Sequence, residues 1–245
     1  PVDDKGHENF EPVGRGVKSS NLCGVHVSYD VCKDVEAHRG VVKNGVDYTD
    51  MIAVRHKHLW CKKAGCPVCF IRGWSVREAR FIEARLLLAV ERGFCEVEHV
   101  VVSAPEKDYG LSEKVLREKA RAVLSACGVV GYCMIFHGYR IARGRRVLAW
   151  GSHYHVLGFL DGGYDKCRQC KGGDCRACGG VEGRCYRAYR ENGWIVRVLP
   201  KRKTVYGTAW YQLHHSTIRL GIKRFHVVTW MGSVAYNNFK SEGLK

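Results

Sequence analysis

No run of about eighteen apolar residues occurs in this 245-residue chain, so no membrane-spanning helix is expected. No segment combines a charged start, a short apolar stretch and a small-residue cleavage site, and the expectation is therefore a cytoplasmic chain. A G-x-x-x-x-G-K-[S/T] segment is missing, so a helicase motor would have to come from another protein or from chain outside these residues. No internal repeat is visible, which argues against a stacked-repeat architecture. Acid is also scarce. Asp and Glu total 24 against 40 Lys and Arg, a formal charge of +16.

That surplus points to a polyanionic partner. The basic runs are interleaved with aromatics, as in "GYRIARGRR" (138–146) and "RCYRAYRENGWIVRVLPKRK" (184–203). Neither run has the period of an amphipathic basic helix, so nucleic acid is favoured over a membrane surface. Arg140, Arg143, Arg145, Arg146, Lys201, Arg202 and Lys203 are the expected DNA contacts.

Cysteine, by contrast, is abundant: 13 residues, an odd number, many of them in C-x-x-C pairs. Such pairs favour metal ligation in a reducing compartment over a disulfide framework. "CRQCKGGDCRAC" supplies Cys167, Cys170, Cys175 and Cys178, two pairs suited to tetrahedral zinc, with Cys185 as a spare. "CKKAGCPVC" supplies Cys61, Cys66 and Cys69 and needs a fourth ligand. His58 is nearest by spacing, then His56; Cys23 or Cys32 can reach from upstream. Two structural zinc ions are expected. Cys95, Cys127 and Cys133 read as small core residues.

Periodicity predicts helices over 75–93, with Ser75 and Glu78 as a capping box, over 112–128, and over 203–218. Strands are predicted over 98–105, 129–142, 147–160, 193–199 and 224–232. The order β-α-β-β-(insertion)-β-α-β implies an α+β fold, a mainly antiparallel sheet with helices on one face. The expected division is an N-terminal zinc-binding segment with its helix over 1–95 and a catalytic domain over 96–245, carrying a Cys-rich insertion at 161–190.

The stretch "WGSHYHVLGFL" (150–160) places His153 and His155 on one face of a strand, because alternate residues share a face. Two imidazoles one strand-step apart can bind one divalent ion. A hairpin turn centred near Gly144–Arg145 would place His137 opposite His153, making it a candidate third ligand. A one-residue slip of register would remove it. A histidine-triad hydrolase would want a third His at 157, where Leu157 stands, and no second H-x-[S/T] strand of a two-histidine phosphoesterase is present. For a nucleophile the later helix offers Tyr206 and Tyr211. Five residues apart, they differ by about 140° around a regular helix, so both cannot face one metal. Tyr211 has His214 and His215 at i+3 and i+4, polar partners for a phosphate site, whereas Tyr206 has Trp210 and suits packing.

"HYHVLGF" followed by a helical tyrosine resembles the HUH endonuclease superfamily. The ordered blocks "CPVCF-x-x-x-W-x-x-x-EAR", "IFHGYR", "HYHVLGF", "VYGTAWYQLHHS" and "HVVTWMGSVAYN", spread over about 60–240, resemble the replication initiators of archaeal rolling-circle plasmids. The resemblance implies a ferredoxin-like or RRM-like catalytic sheet and nicking and joining of single-stranded DNA at a replication origin, with a host polymerase or helicase as a further partner. It implies Mn²⁺ or Mg²⁺ held by His153, His155 and His137, and Tyr211 as the nucleophile, leaving a 5′-phosphotyrosine and a 3′-hydroxyl. The superfamily's lysine after the tyrosine is replaced here by His214 and His215. The rival readings are an HUH transposase or relaxase and, in another class, a zinc-containing nucleic-acid-binding protein without chemistry.

Overall fold

A computed structural model describes residues 9–18, 20–32, 34, 36–43, 45–49, 51–141, 148–161, 189–219 and 225–240. Its strands are β1 (Phe10–Pro12), β2 (His26–Val31), β3 (Val42–Lys43), β4 (Val46–Asp47), β5 (Val54–His58), β6 (Glu98–Ser103), β7 (Val129–Ile141), β8 (Leu148–Leu160), β9 (Tyr189–Glu191), β10 (Trp194–Leu199), β11 (Thr217–Arg219) and β12 (Val228–Gly232). Its α-helices among the described residues are α1 (Ser75–Glu91), α2 (Glu113–Ala126) and α3 (Val205–His214).

Six strands form one antiparallel sheet in the order β12-β7-β8-β6-β10-β9, with the long β7–β8 hairpin at its centre. The architecture is α+β, as the element order implies. The helices, however, cover both faces, where one was expected. Even-numbered side chains (Val100, Val102, Met134, Phe136, Tyr154, Val156) pack with Leu116, Ala120 and Leu124 of α2. Odd-numbered ones (Cys133, Ile135, Leu157, Phe159) pack with Ile82 and Leu86 of α1 and Ala209 and Leu213 of α3. Two-sided coverage explains why β7 reads as a nearly continuous apolar run and shows little alternation of its own. Helix α1, assigned by sequence to the N-terminal segment, thus belongs to the core of the sheet.

Local signals are realised unevenly. Ser112 caps α2 by accepting from the Val115 N–H, and Gly128 follows that helix with φ +81°. Thr204 caps α3 by accepting from the Gly207 N–H at 2.9 Å, so the glycine falls in the first turn, where its weak helix propensity costs little. The Ser75–Glu78 capping box does not form. A π-helical turn over Phe70–Trp74 runs directly into α1, and the Ser75 hydroxyl donates to the Ile71 carbonyl at 2.6 Å.

A bulge in the central hairpin sets the site. Next to the turn, Ile141 pairs with Leu148 and Tyr139 with Trp150; beyond it, His137 pairs with His153. Gly138 therefore faces two residues, Gly151 and Ser152. The extra residue flips the face presented by the rest of β8. Gly138 permits the close approach, since a Cβ there would lie 2.5 Å from the Trp150 ring. Its N–H donates to Thr217 Oγ1 at 2.8 Å. Strand β1 crosses nearby, pairing with β11, and the Phe10 carbonyl accepts from Tyr139 Oη at 2.7 Å.

Candidate metal centres

His137 on β7 and His153 and His155 on β8 converge beneath α3. Their ring centroids are 4.5 Å (137–155), 5.1 Å (137–153) and 5.3 Å (153–155) apart. One ligand atom from each lies within 4.8 Å of the others. The bulge carbonyl of Gly151, released from the sheet ladder, lies 2.8 Å from His153 Nδ1 and also accepts from Arg140 Nε at 3.0 Å. A carbonyl only accepts, so His153 carries its proton on Nδ1 and leaves Nε2 bare. His155 Nδ1 lies 2.9 Å from His99 Nε2, which again leaves Nε2 for the centre. His137 Nε2 is buried with no hydrogen-bond partner. Such an orphan costs about 1–3 kcal/mol when left unfilled. A bare nitrogen beside two other available Nε2 atoms is what a divalent-ion site requires, and the donor set fits one.

Burial keeps these rings neutral. It pushes His153 down to about 4, against the smaller opposing pull of the Gly151 carbonyl. Burial, then the neighbouring imidazoles, hold His155 well below the ordinary imidazole value. The same holds for His137, where the Gln212 carbonyl on α3 pulls weakly the other way. Neutral imidazole is the ligating form, so the site is prepared for metal at neutral pH.

The last turn of α3 stands over this cluster: His215 contributes to the depression of both His137 and His155. The Tyr211 ring lies 4.8 Å from the His215 ring and is 40% exposed. The Arg202 guanidinium sits 4.1 Å over the Tyr211 ring, a cation–π contact that links it to the site. His214 is turned the other way. Its Nε2 is 3.0 Å from Ser75 Oγ on α1, and its ring contacts Trp210, so it braces α3 and does not face the imidazole cluster. Tyr206 packs against the α1–α3 core.

The expected DNA contacts divide. Lys201 Nζ is held by Glu96 Oε1 at 2.5 Å and the Val97 carbonyl at 2.6 Å, a tether of the strand end to the chain before β6. Lys203 is exposed. Arg140 is anchored through Nε at the rim of the site. Arg143, Arg145 and Arg146 lie outside the described residues, as do Cys167, Cys170, Cys175, Cys178 and Cys185.

A second group joins Cys23, Cys61, Cys66 and Cys69, with sulfurs within 4.8 Å of one another. Cys23 Sγ is 3.7 Å from Cys66 Sγ, and Cys61 Sγ is 3.2 Å from Cys69 Sγ. All four are free thiols. Zinc–sulfur bonds of about 2.3 Å in a tetrahedron give sulfur–sulfur edges near 3.8 Å, so the set can hold zinc. The fourth member of the group is Cys23, and the expected His58 is not part of it. The reason is the β2–β5 ladder, which pairs His58 with His26 and stacks its ring near His26 and Trp60. The ladder continues through Gly24 N–H to the Leu59 carbonyl at 2.7 Å and so delivers Cys23 to Cys61. Burial pushes the Cys66 thiol up, but the Cys69 and Val68 N–H groups and the neighbouring thiols outweigh it and bring it down to about 6. Burial and Cys61 push Cys69 up to about 12, as expected where one thiolate forms first among crowded thiols.

No family model, curated protein or solved structure gives a significant match to this chain.

Proposed function

We propose that the chain is a metal-dependent endonuclease of the HUH type that nicks and rejoins single-stranded DNA at a plasmid origin and so starts rolling-circle replication. One observation carries the reading: three neutral imidazoles with bare Nε2 atoms share one sheet face, under a helix that presents an exposed tyrosine at its rim. The antiparallel sheet with the His-x-His strand at its centre supports a ferredoxin-like HUH domain. The excess of 40 basic over 24 acidic residues supports a nucleic-acid substrate.

In this reading His137, His153 and His155 hold a Mn²⁺ or Mg²⁺ ion, which when bound polarises a non-bridging oxygen of the scissile phosphate. Tyr211 Oη attacks phosphorus, the phosphorus–O3′ bond breaks, and the DNA 5′ end becomes a phosphotyrosine ester. His215, beside the tyrosine ring and held below its ordinary value by partial burial, accepts the phenolic proton. The departing O3′ takes a proton from water and becomes the hydroxyl a polymerase extends. Attack by a 3′-hydroxyl on the ester reverses the chemistry and joins the strand. Arg202 orients the tyrosine ring and places positive charge beside the phosphate. The Cys₄ cluster, with all four donors from protein, is structural zinc that ties the N-terminal segment to the start of α1.

The test is covalent capture. Full-length protein is incubated with Mn²⁺ and single-stranded oligonucleotides spanning candidate origin hairpins, then run under denaturing conditions. A DNA-linked band, mapped to the Tyr211 peptide, is the expected result. Binding without any adduct across the set would leave a non-catalytic DNA-binding protein.

A further inference from the structure

We infer that His99 is a positioning residue for the metal centre, fixing the tautomer and orientation of His155 through a relay that begins at the Pro200 carbonyl. The inference rests on the metal reading of His137, His153 and His155. His99 lies near the start of β6, 3% exposed, with its ring centroid 5.2 Å from that of His155. It is not opposite His155; Val101 is. His99 reaches across the diagonal on the same sheet face, a contact open to long side chains in paired strands.

The chemistry of the relay allows one direction. His99 Nδ1 is 3.3 Å from the Pro200 carbonyl, which can only accept, so that nitrogen bears the proton. A neutral ring then has a lone pair on Nε2. This atom is 2.9 Å from His155 Nδ1, which must therefore donate. With its proton on Nδ1, His155 turns a lone pair on Nε2 toward His137 and His153. The opposite tautomer would put a proton on His155 Nε2, where it blocks ligation, and would set a lone pair against the Pro200 oxygen. His153 is fixed the same way by the Gly151 carbonyl. The two ligands from one strand are thus oriented by backbone carbonyl acceptors, His153 by Gly151 of its own strand and His155 by Pro200 through a second histidine. A neutral imidazole at 99 orients His155 without adding a negative charge to the face that must receive a phosphate. Outer partners of this kind are worth about 10–100-fold in metal affinity.

The experiment uses the full chain without DNA. Free Mn²⁺ is titrated and followed by electron paramagnetic resonance for wild type, His99→Leu and His99→Gln, and the ring nitrogens of ¹⁵N-histidine protein are read by NMR. Leucine keeps the packing but removes both hydrogen bonds, and Mn²⁺ affinity should fall about 10–100-fold. Glutamine can accept from His155 Nδ1 and donate to the Pro200 carbonyl, and should restore affinity to within a few-fold of wild type. In metal-free wild type, His155 should appear as the Nδ1–H tautomer, and this signature should be lost in the leucine variant. Wild-type affinity in His99→Leu, or a His155 proton on Nε2 in the free wild-type protein, would overturn the inference. Should the leucine variant unfold, the glutamine rescue and the wild-type tautomer still decide it. A wild-type chain that shows the tautomer but binds no Mn²⁺ would defeat the metal reading itself.

Discussion

Replacing Cys23 by Ala should loosen zinc at the N-terminal cluster, whereas replacing His58 by Ala should not. Cys23 is buried, with its sulfur 3.7 Å from that of Cys66, and it is the one ligand from upstream of the Cys61–Cys69 segment. Structural zinc sites bind with an apparent free energy of about 10–16 kcal/mol. Shared over four thiolates, that is about 3 kcal/mol per ligand, or about 100-fold in affinity. The loss should also reach stability, because Cys23 fixes the N-terminal segment to the turn that starts α1 and metal affinity is folding free energy. His58 stacks beside Trp60 and pairs across from His26, so its loss removes a surface ring contact and no ligand. The assay is zinc transfer to a chromogenic chelator, with bound zinc per chain measured by elemental analysis and melting followed in parallel. Cys23→Ala should release one ion per chain far more readily and melt lower; His58→Ala should track wild type. Equal zinc retention in both variants, or release in His58→Ala alone, would refute the assignment.

The other expectations concern the imidazoles and the tyrosines. His153→Ala/His155→Ala should abolish Mn²⁺-dependent nicking while leaving most single-stranded DNA affinity, which charge supplies; persistent nicking in a gel assay would count against the site. Tyr211→Phe removes the attacking oxygen and should lose the covalent adduct with binding intact, while Tyr206→Phe, altering a packed ring, should keep it; mass spectrometry of the DNA-linked peptide decides between them. Stability of the metal-free protein should depend on pH in a defined direction. Burial holds His153 near 4 against an ordinary 6.5, so as pH falls through this interval the unfolded chain takes protons first and stability drops. Denaturant midpoints should therefore decline from about pH 6.5 toward 4, less steeply in the double-alanine variant; a flat profile for wild type would show that the rings are not held neutral.

What the chain's order of residues determined by itself was local. The His-x-His spacing on a strand, the helix capped by Ser112 and the unequal faces of Tyr206 and Tyr211 follow from backbone periods of two and 3.6, which need no distant contact. The C-x-x-C pair likewise announced a metal knuckle, since two thiols at that spacing can meet one ion. The tertiary structure decided whatever depends on which strands lie side by side. Counting back from the hairpin turn placed His137 opposite His153, yet the pairing beside the turn is offset by one, and the bulge at Gly151–Ser152 restores the match. Without that extra residue the histidines of β8 would face α2. Helices on both faces, His99 behind His155, Cys23 in place of His58, and the turning of His214 toward Ser75 all arise from contacts between residues tens of positions apart. Their register is set by packing of the whole sheet and by hydrogen-bond partners that only the folded chain brings together, so no local pattern in the sequence could carry it.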